Sequence, residues 1–505
     1  MVFSKFIFIL SWIFIVACSN TVSPDGESNA LDGESSSVKK SSDSKPSSSS
    51  VVSDEQCEGE SGRPWDGTTA KNFACGTGTK LNPYVIRTAE QLSLFSFVIG
   101  AKDDNYLEKY YRLDADILLN AGKIINDKGD LIADSTELHK WIPVGNSSVA
   151  FSGNFDGNGH SIQGLFINTT SSHNGLFGNV SGIVQNLGVK NSWISGGKNT
   201  AGIAGVLAGS GVVKNVENGA AVTGTECVSG IVATASWMYD KTVSIVDAKN
   251  FGVIKGNRFV AGIIAYTSSG VSIKNVENHN LVEGAYSVGG IAGHLGITSN
   301  MESAWNDGEI VGGEYTAGIA GYFGYSYCPS NKNYGTIKQA MNRGLVTGTK
   351  YTAGIVGQGE CVTIETSANK GNIEGTLYVA GVSGHAKRST MKSLYNMGNV
   401  IGTSRIGGLI GYNEEGVSRY AYSKGTVDGD SLVGLVIGYN YNTTMADFYY
   451  LEQRNLEPFG LNNSGGNATS RSAEEMQTAD FAELLGEDFA YDSRQNDSFP
   501  ILAWE

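Results

Sequence analysis

The sequence has few prolines, few charged residues and none of the short motifs that mark common enzyme families. Only 8 of its 505 residues are Pro, and only 17% are charged. It contains no Gly-x-Ser-x-Gly elbow, phosphate loop or dinucleotide fingerprint. It also lacks Cys-x-x-Cys, Cys/His clusters and His-Glu-x-x-His, so no zinc site or other cofactor is expected. The formal charge of −14 argues against nucleic acid and acidic polysaccharide as electrostatic partners.

The N-terminus has the pattern of an export signal. Lys5 precedes an apolar run over residues 6–16, which is too short to serve comfortably as a permanent membrane span. The run ends in Ile15-Val16-Ala17-Cys18, which resembles the bacterial lipobox. The resemblance implies a signal peptide over residues 1–17 and acylation of Cys18. Ser19 in the next position implies an outer-membrane lipoprotein exposed at the cell surface. The alternative is an ordinary secretory signal with a chance cysteine.

Residues 18–56 are rich in Ser and almost free of large apolar side chains. Such a segment cannot bury enough surface to offset chain entropy, so it predicts a flexible tether. Export also favours disulfides among the remaining cysteines. Cys57 and Cys75 could close a short loop, Cys328 and Cys361 fall in neighbouring repeats, and Cys227 is left over as a small apolar residue.

Glycine is abundant, at 67 residues, and it marks an internal repeat. The first repeated element is Gly-aliphatic-small-Gly, and its copies are separated by steps of 27, 28, 32, 28, 28, 36, 27, 27 and 26 residues. No run of 3.6-residue periodicity lies between the copies, which excludes a helical repeat. The copies begin at Gly175, Gly202, Gly230, Gly262, Gly290, Gly318, Gly354, Gly381, Gly408 and Gly434.

A second element, Asn-x-Gly-x-(Val/Ile)-x-Gly, recurs in phase with the first. It begins at Asn306, Asn342, Asn369 and Asn396, with looser versions at Asn218, Asn250 and Asn278, and Ser423 replaces Asn in the last copy. In stacked coils the same position recurs directly above itself about 4.8 Å away. We therefore expect these side chains to form a hydrogen-bonded asparagine ladder.

Three short strand-like segments per repeat predict an all-β fold, a parallel right-handed β-helix or β-solenoid of about ten coils of ~27 residues. The solenoid is expected over residues 146–450. Small α/β caps are expected at both ends, over residues 57–145 and 451–505, because a bare coil end is an exposed sheet edge. Thr88-x-x-Gln91 and Ser472-x-x-Glu475 resemble capping boxes that open helices in these caps.

The glycine elements, with Trp141-Ile-Pro-Val-Gly145 and the segment over residues 151–162, resemble the GLUG-motif proteins. So do Asn82-Pro-Tyr-Val-Ile86 and Ala89-Glu-Gln-Leu92. The resemblance covers residues 80–505 and implies the repeat architecture more than a function. GLUG repeats occur in adhesin-like surface proteins and in immunoglobulin A peptidases, whose activity resides in a separate metalloprotease domain. Without His-Glu-x-x-His, that activity does not carry over.

A polysaccharide-cleaving enzyme is the main catalytic alternative, since that chemistry needs paired carboxylates. Candidate pairs are Asp114 with Asp116 and Asp428 with Asp430, but both also fit a solvated strand face. Asp156-Gly-Asn-Gly-His160 resembles a site superficially, yet it also fits a glycine turn. The structural interpretation is the stronger one in each case, and no catalytic residue is predicted.

One aromatic series is a candidate glycan contact. Phe259, Tyr315, Tyr351 and Tyr378 all stand three residues before a glycine element, so they share a position on different coils. Exposed rings there could stack on sugars. However, strand alternation puts Tyr351 on the same side as the core residue Ile355, which favours a buried or corner stack.

The anchor, tether and rod together predict a surface-anchored, non-catalytic, adhesin-like protein that binds a glycan or an extracellular protein. Two alternatives stay open, namely a polysaccharide-degrading lyase or glycosidase and a purely structural envelope protein. The expected partners are the membrane, through acylated Cys18, and a polysaccharide or extracellular protein, with no nucleic acid.

We predict that Cys18 carries the anchor. Cys18→Ser removes the thiol that would be acylated, so the protein should move from the detergent phase to the soluble fraction. Phase partition of wild type and variant measures this directly. Continued partition of the variant into detergent would show that another segment holds the chain to the membrane.

Overall fold

The computed structural model describes residues 57–236, 241–325, 335–453 and 456–505. The predicted signal peptide, Cys18, the predicted tether and Cys328 lie outside these residues. Within them, none of the helices combines the length and the hydrophobicity needed to cross a bilayer.

The chain forms a parallel β-solenoid of about 13 turns, and 51% of the described residues are in strands and 6% in helices. The predicted fold class is confirmed, but the expected ten coils were too few. The additional early turns arise because Tyr84–Ile86 pairs with Tyr110–Leu113, which pairs with Asn154–Asp156. These rungs carry neither repeated element, and the sequence pattern assigned the first two to a cap.

Three parallel sheets run along the rod. Over most of the rod, each coil contributes at least one strand to every sheet. The first sheet has 24 strands: Tyr84–Ile86, Tyr110–Leu113, Ile117–Leu118, Asn154–Asp156, Ser161–Gln163, Phe166–Asn168, Ile183–Ser195, Val212–Thr223, Val243–Asn250, Ile254–Lys255, Val271–Asn278, Val282–Glu283, Asn300–Asn306, Ile310–Val311, Thr336–Asn342, Val346–Thr347, Thr363–Asn369, Ile373–Glu374, Thr390–Asn396, Val400–Ile401, Val417–Ser423, Val427–Asp428, Thr444–Leu451 and Ala468–Arg471.

The second sheet has 11 strands and the third has 9. Those of the second are Phe177–Val180, Ala204–Ala208, Val232–Ser236, Ile264–Thr267, Ala292–Leu295, Ala320–Gly324, Val356–Glu360, Ser383–Lys387, Ile410–Glu414, Ile437–Tyr441 and Phe459–Asn463. Those of the third are Lys198–Ala201, Glu226–Ser229, Arg258–Ala261, Tyr286–Gly289, Glu314–Ala317, Lys350–Ala353, Leu377–Ala380, Ser404–Gly407 and Ser431–Gly434.

The predicted asparagine ladder is confirmed. Each Asn Nδ2 donates to the Oδ1 of the Asn one coil further along, at 2.8 Å, from Asn218 to Asn396. Each also donates to the carbonyl two residues ahead, as Asn369 does to Gly371 at 2.7 Å. The column is fully buried, and it ends where Asn396 lies beside Ser423.

The two repeated sequence elements meet in space at this ladder. A Cβ placed at Gly354 would lie 2.3 Å from Asn369 Oδ1 and 2.3 Å from the carbonyl oxygen of Gly381. Gly354 does not have the positive φ of a left-handed turn. Its glycine is therefore required by close approach to the ladder and the next coil, not by backbone conformation.

Helix α1 (Ala89–Gly100) covers the apolar interior of the first turns. Its predicted capping box is present: Thr88 Oγ1 accepts from Gln91 N, and Gln91 Oε1 accepts from Thr88 N. The ring of Phe95 is fully buried and packs against Tyr111 and Phe155, at centroid distances of 4.3 and 5.4 Å.

Beside α1, the predicted Cys57–Cys75 disulfide is present, with a Cα–Cα distance of 5.0 Å. Cys361 and Cys227 are both buried. The pairing of Cys361 with Cys328 remains a prediction, because Cys328 lies outside the described residues.

The C-terminal segment does not lie across the end of the rod as a cap. Residues 459–471 still form rungs, and the helices α2 (Ala473–Met476) and α3 (Ala479–Leu485) follow them. Residues 472–505, which we call the C-terminal strap, pack on the outer face of the first sheet. A 3-10 turn (Asn496–Ser498) and an antiparallel pair, Phe489–Ala490 with Ile501–Leu502, complete the strap.

The strap packs here because of a column of outward-facing side chains on the first sheet. Each member stands one residue before the ladder position of its coil. The column changes from charged to apolar along the rod, through Glu217, Lys249, Glu277, Trp305, Met341, Ala368, Tyr395, Tyr422 and Tyr449. The strap covers the apolar part with Met476, Phe481, Leu485, Phe489, Phe499 and Leu502. Covering this outward apolar surface removes it from water.

We predict that the ladder position decides the cost of removing an Asn. Asn369→Leu breaks two ladder bonds and leaves buried partners unpaired, so it should lower the free energy of unfolding by about 2–4 kcal/mol. Asn396→Leu breaks one ladder bond and should cost less. Denaturant unfolding measures both, with exposed Asn257→Leu as the control. Equal, negligible losses at Asn369 and Asn396 would contradict a cooperative ladder.

We also predict that Gly354→Val destabilises the rod by several kcal/mol. The new side chain would overlap both Asn369 and the backbone of the next coil. Gly465→Val is the control, because a Cβ there meets nothing within 4 Å. Thermal unfolding of the two variants tests the idea, and an unchanged melting temperature for Gly354→Val would refute it.

Candidate binding surface

The four aromatic residues singled out from the sequence occupy one corner position of the third sheet. All four have a left-handed backbone, with φ of 54° at Phe259, 60° at Tyr315, 56° at Tyr351 and 58° at Tyr378. This conformation is rare for bulky residues and costs roughly 1–2 kcal/mol each. It also interrupts strand alternation, so the parity argument from Ile355 was wrong.

Three of the four rings form one stack at this corner. The ring centroids of Tyr315 and Tyr351 are 5.0 Å apart at 13°, and those of Tyr351 and Tyr378 are 4.8 Å apart at 10°. All three tyrosines are half-buried. Phe259 does not join them, because Ser287 occupies the intervening coil. Its ring is 2% exposed and packs on Tyr266 in a separate cluster.

A second aromatic column runs beside the first, on the second sheet. It holds Tyr322 and, after Gln358 in the next coil, His385, Tyr412 and Tyr439. The ring of His385 lies 4.6 Å from that of Tyr412, which lies 4.9 Å from that of Tyr439. Tyr378 and Tyr412 join the two columns at 6.0 Å. Each of these four residues directly follows a glycine of the repeat, so the sequence does carry a signal for this column.

We call these seven residues, Tyr315, Tyr322, Tyr351, Tyr378, His385, Tyr412 and Tyr439, the aromatic strip. Basic groups lie against its rings: Lys350 Nζ is 4.6 Å from the centroid of Tyr351, and the Arg405 guanidinium is 5.1 Å from that of Tyr378. Lys350 is also paired with Glu314 at 3.1 Å. The strip therefore combines aromatic surface with charges of both signs.

The ring geometry limits what the strip can bind. Tyr315, Tyr351 and Tyr378 cover one another's faces, and so do His385, Tyr412 and Tyr439. Edges and hydroxyl groups are therefore what these two stacks can offer to solvent. Burial, with the nearby Glu414 carboxylate, raises the pKa of Tyr412 to about 12. That hydroxyl therefore stays protonated at neutral pH and can donate a hydrogen bond. Sugar stacking on the ring faces, the reason for proposing these residues as glycan contacts, is disfavoured by this arrangement.

The second column includes one buried imidazole, that of His385. His385 Nε2 lies 2.9 Å from Glu414 Oε2, while its Nδ1 is buried without a hydrogen-bond partner. The hydrogen bond from His385 lowers the pKa of the Glu414 carboxyl. One coil earlier, the buried Glu360 is paired with Lys387 at 3.3 Å and Arg388 at 3.2 Å. These carboxylates are committed to neighbouring coils.

Two of the acidic residues considered for catalysis, Asp116 and Asp156, accept hydrogen bonds that join neighbouring coils. Asp156 Oδ1 accepts from Asn158 N at 2.8 Å and from Asn186 Nδ2 at 2.9 Å, which fits a glycine turn linked to the next coil. Asp116 Oδ1 accepts from Ser161 N at 2.7 Å, and this bond lowers its pKa. In the part of the chain that the structure describes, no group of three or more His, Cys, Asp or Glu residues could hold a metal ion.

Comparison with known proteins gives short matches. No family profile matches the chain. Halomucin of Haloquadratum walsbyi is 29% identical over 172 residues, which are 34% of this chain and 2% of that protein. A candidate Gly-rich membrane protein of Evansella cellulosilytica is 34% identical over 149 residues, which are 28% of this chain and 15% of that protein. The chain thus spans a small part of both relatives.

Among solved structures, a candidate immunoglobulin A1 protease from Bacteroides ovatus aligns over 86% of this chain and 96% of its own, at 14% identity and a TM-score of 0.33. So low a score carries no argument about fold or activity. The resemblance to GLUG-motif proteins therefore remains a prediction drawn from the motifs, beside a fold that is a parallel β-solenoid.

Proposed function

We propose that the chain is a lipid-anchored, non-catalytic surface protein whose aromatic strip binds an extracellular protein. The single observation that carries this proposal is the strip itself, two adjoining columns of half-buried tyrosines that run along one corner of the rod. Tyr and Arg are enriched in the centres of protein interfaces, where they supply most of the binding energy.

The edge-on presentation of the rings favours a protein over a glycan at the strip. A sugar gains most from an open ring face, and the middle ring of each stack has neighbours on both faces, as Tyr351 has Tyr315 and Tyr378 and as Tyr412 has His385 and Tyr439. A protein partner can use ring edges, hydroxyl donors and the flanking Arg405 together. The stacked rings are also rigid, so little side-chain entropy is lost on binding.

The proposed position at the cell surface rests on the lipobox at Cys18 and on the tether over residues 18–56. A solenoid of about 13 turns is on the order of 60 Å long at about 4.8 Å per coil. A rod of this length on a flexible tether would present its side faces well beyond the bilayer. A purely structural envelope role would not need the exposed parts of the aromatic strip.

The test compares binding of the full chain and its variants to an array of extracellular matrix proteins. The triple variant Tyr351→Phe, Tyr378→Phe and Tyr412→Phe keeps the stacked rings but removes three hydroxyl groups. At about 0.5–1.5 kcal/mol per lost hydrogen bond, affinity should fall at least about tenfold. Arg405→Ala should weaken binding further.

The matched control is Phe97→Ala, which removes a ring that is 66% exposed on α1, at the first turns of the rod. It should bind like wild type, and all variants should keep the wild-type melting temperature. Absence of any protein ligand, or equal affinity of wild type and the triple variant, would overturn the proposal. Glycan binding that depends on the strip would instead restore the original glycan hypothesis for these residues.

A further inference from the structure

A separate cavity lies on the first sheet, beneath the loop over residues 122–131. Its volume is about 410 Å³, within the range of small-molecule sites. The loop forms one wall, and the outer face of the coils around Gly219 and Phe251 forms the other. None of the residues of the aromatic strip line it.

The distinguishing feature of this cavity is the ring of Phe251, which is 45% exposed. One face of the ring is stacked on His279, with centroids 4.8 Å apart and an interplanar angle of 7°. His279 is itself held by Glu277 Oε2 at 2.7 Å and Asp307 Oδ2 at 3.1 Å. The phenyl ring is therefore supported from behind in a defined orientation.

Phe251 also lines the cavity, beside a position that carries no side chain. Asn250 pairs with Asn218 of the preceding coil, so the residue next to Phe251 in that coil is Gly219. Within 4 Å, a Cβ at Gly219 would meet only the Val189 carbonyl oxygen at 3.3 Å and Lys190 Cα at 3.7 Å, and Gly219 lines the cavity together with Phe251. The glycine thus leaves room beside the ring of Phe251, in contrast to the rings of the strip.

The loop that walls the cavity is fixed in place. Asn191 accepts from Ile124 N at 2.9 Å and donates to the Gly122 carbonyl at 2.6 Å. At the loop tip, Gly129 approaches Val253 so closely that a Cβ would lie 2.9 Å from its side chain. The cavity is therefore formed before any ligand arrives, which lowers the entropic cost of binding.

The rim offers hydrogen bonds without net charge. Lys123 Nζ donates to Asp127 Oδ1 at 2.9 Å, and both side chains are largely exposed. One such bond leaves two N–H donors on Lys123 and the second carboxylate oxygen of Asp127 free to meet hydroxyl groups. The overall charge of −14 disfavours anionic ligands here.

We infer that this cavity binds one unit of a neutral saccharide, with the apolar face of the sugar on Phe251 and its hydroxyl groups on Lys123 and Asp127. An aromatic ring that is supported from behind, beside a polar rim of no net charge, fits the alternating C–H and O–H surface of a pyranose. This site is independent of the aromatic strip and adds a second class of ligand to the proposed function.

The experiment titrates the full chain with neutral hexasaccharides of glucose, xylose, mannose and N-acetylglucosamine, followed by calorimetry and saturation-transfer NMR. At least one should bind the wild-type protein. Phe251→Ala should lose at least tenfold in affinity, whereas Phe251→Trp, which keeps a flat ring, should retain binding. Gly219→Leu should also lose binding, since it fills the space beside an unchanged Phe251.

Two comparisons make the outcome specific. Phe97→Ala, the exposed ring on α1, should bind saccharide as wild type does, and so should the triple tyrosine variant of the strip. Loss of saccharide binding in the triple variant would move the site to the strip and overturn this inference. So would failure of all four saccharides, equal binding by Phe251→Ala and wild type, or wild-type affinity in a folded Gly219→Leu protein.

Discussion

The buried column of asparagine amides is the constraint on which the rest of the rod depends. Each amide in the series from Asn250 to Asn369 accepts from one neighbour and donates to the next, and its remaining donor is satisfied by a backbone carbonyl two residues ahead. A slip of one residue between coils would leave several buried polar groups unpaired at once, at about 1–3 kcal/mol each. The ladder therefore sets coil register more strongly than apolar packing, which tolerates exchange of similar side chains.

The ladder also dictates the glycine that faces it and, through the coil geometry, the corner where the aromatic strip lies. Gly354 and its equivalents leave room for the amide oxygen of the ladder. The corner of the third sheet, three residues earlier in each coil, has no glycine of its own. The chain instead turns there with a left-handed residue at Tyr315, Tyr351 and Tyr378. Stacking between coils offsets that backbone cost, since aligned aromatic pairs contribute about 0.5–1.5 kcal/mol beyond their buried area.

Features that repeat locally could be predicted from the sequence, and features that join distant segments could not. The register of Asn306, Asn342, Asn369 and Asn396, the β-solenoid class and the capping box at Thr88 all follow from short motifs with fixed spacing.

The turn that begins at Tyr84 lacks those motifs, so its pairing with Tyr110–Leu113 could not be predicted from the sequence. The second aromatic column was missed because its position is aromatic in only some coils: His385 and Tyr412 hold it in successive coils, but Gln358 holds it in the coil before them. The cavity beside Phe251 depends on Gly219 and on a loop from residues 122–131, three segments that no local pattern connects.

The C-terminal strap changes how the rod resists unfolding. In a simple solenoid each coil touches only its neighbours, so coils at an end can fray one at a time. The strap instead contacts a series of coils from Met341 to Tyr449, and Trp504 Nε1 reaches back to donate to the Thr366 carbonyl at 2.8 Å. Opening one coil beneath it would disturb the contacts of several others. This part of the rod should therefore exchange its amide protons as a single cooperative block, while the coils before Trp305 retain the graded protection of an ordinary repeat array.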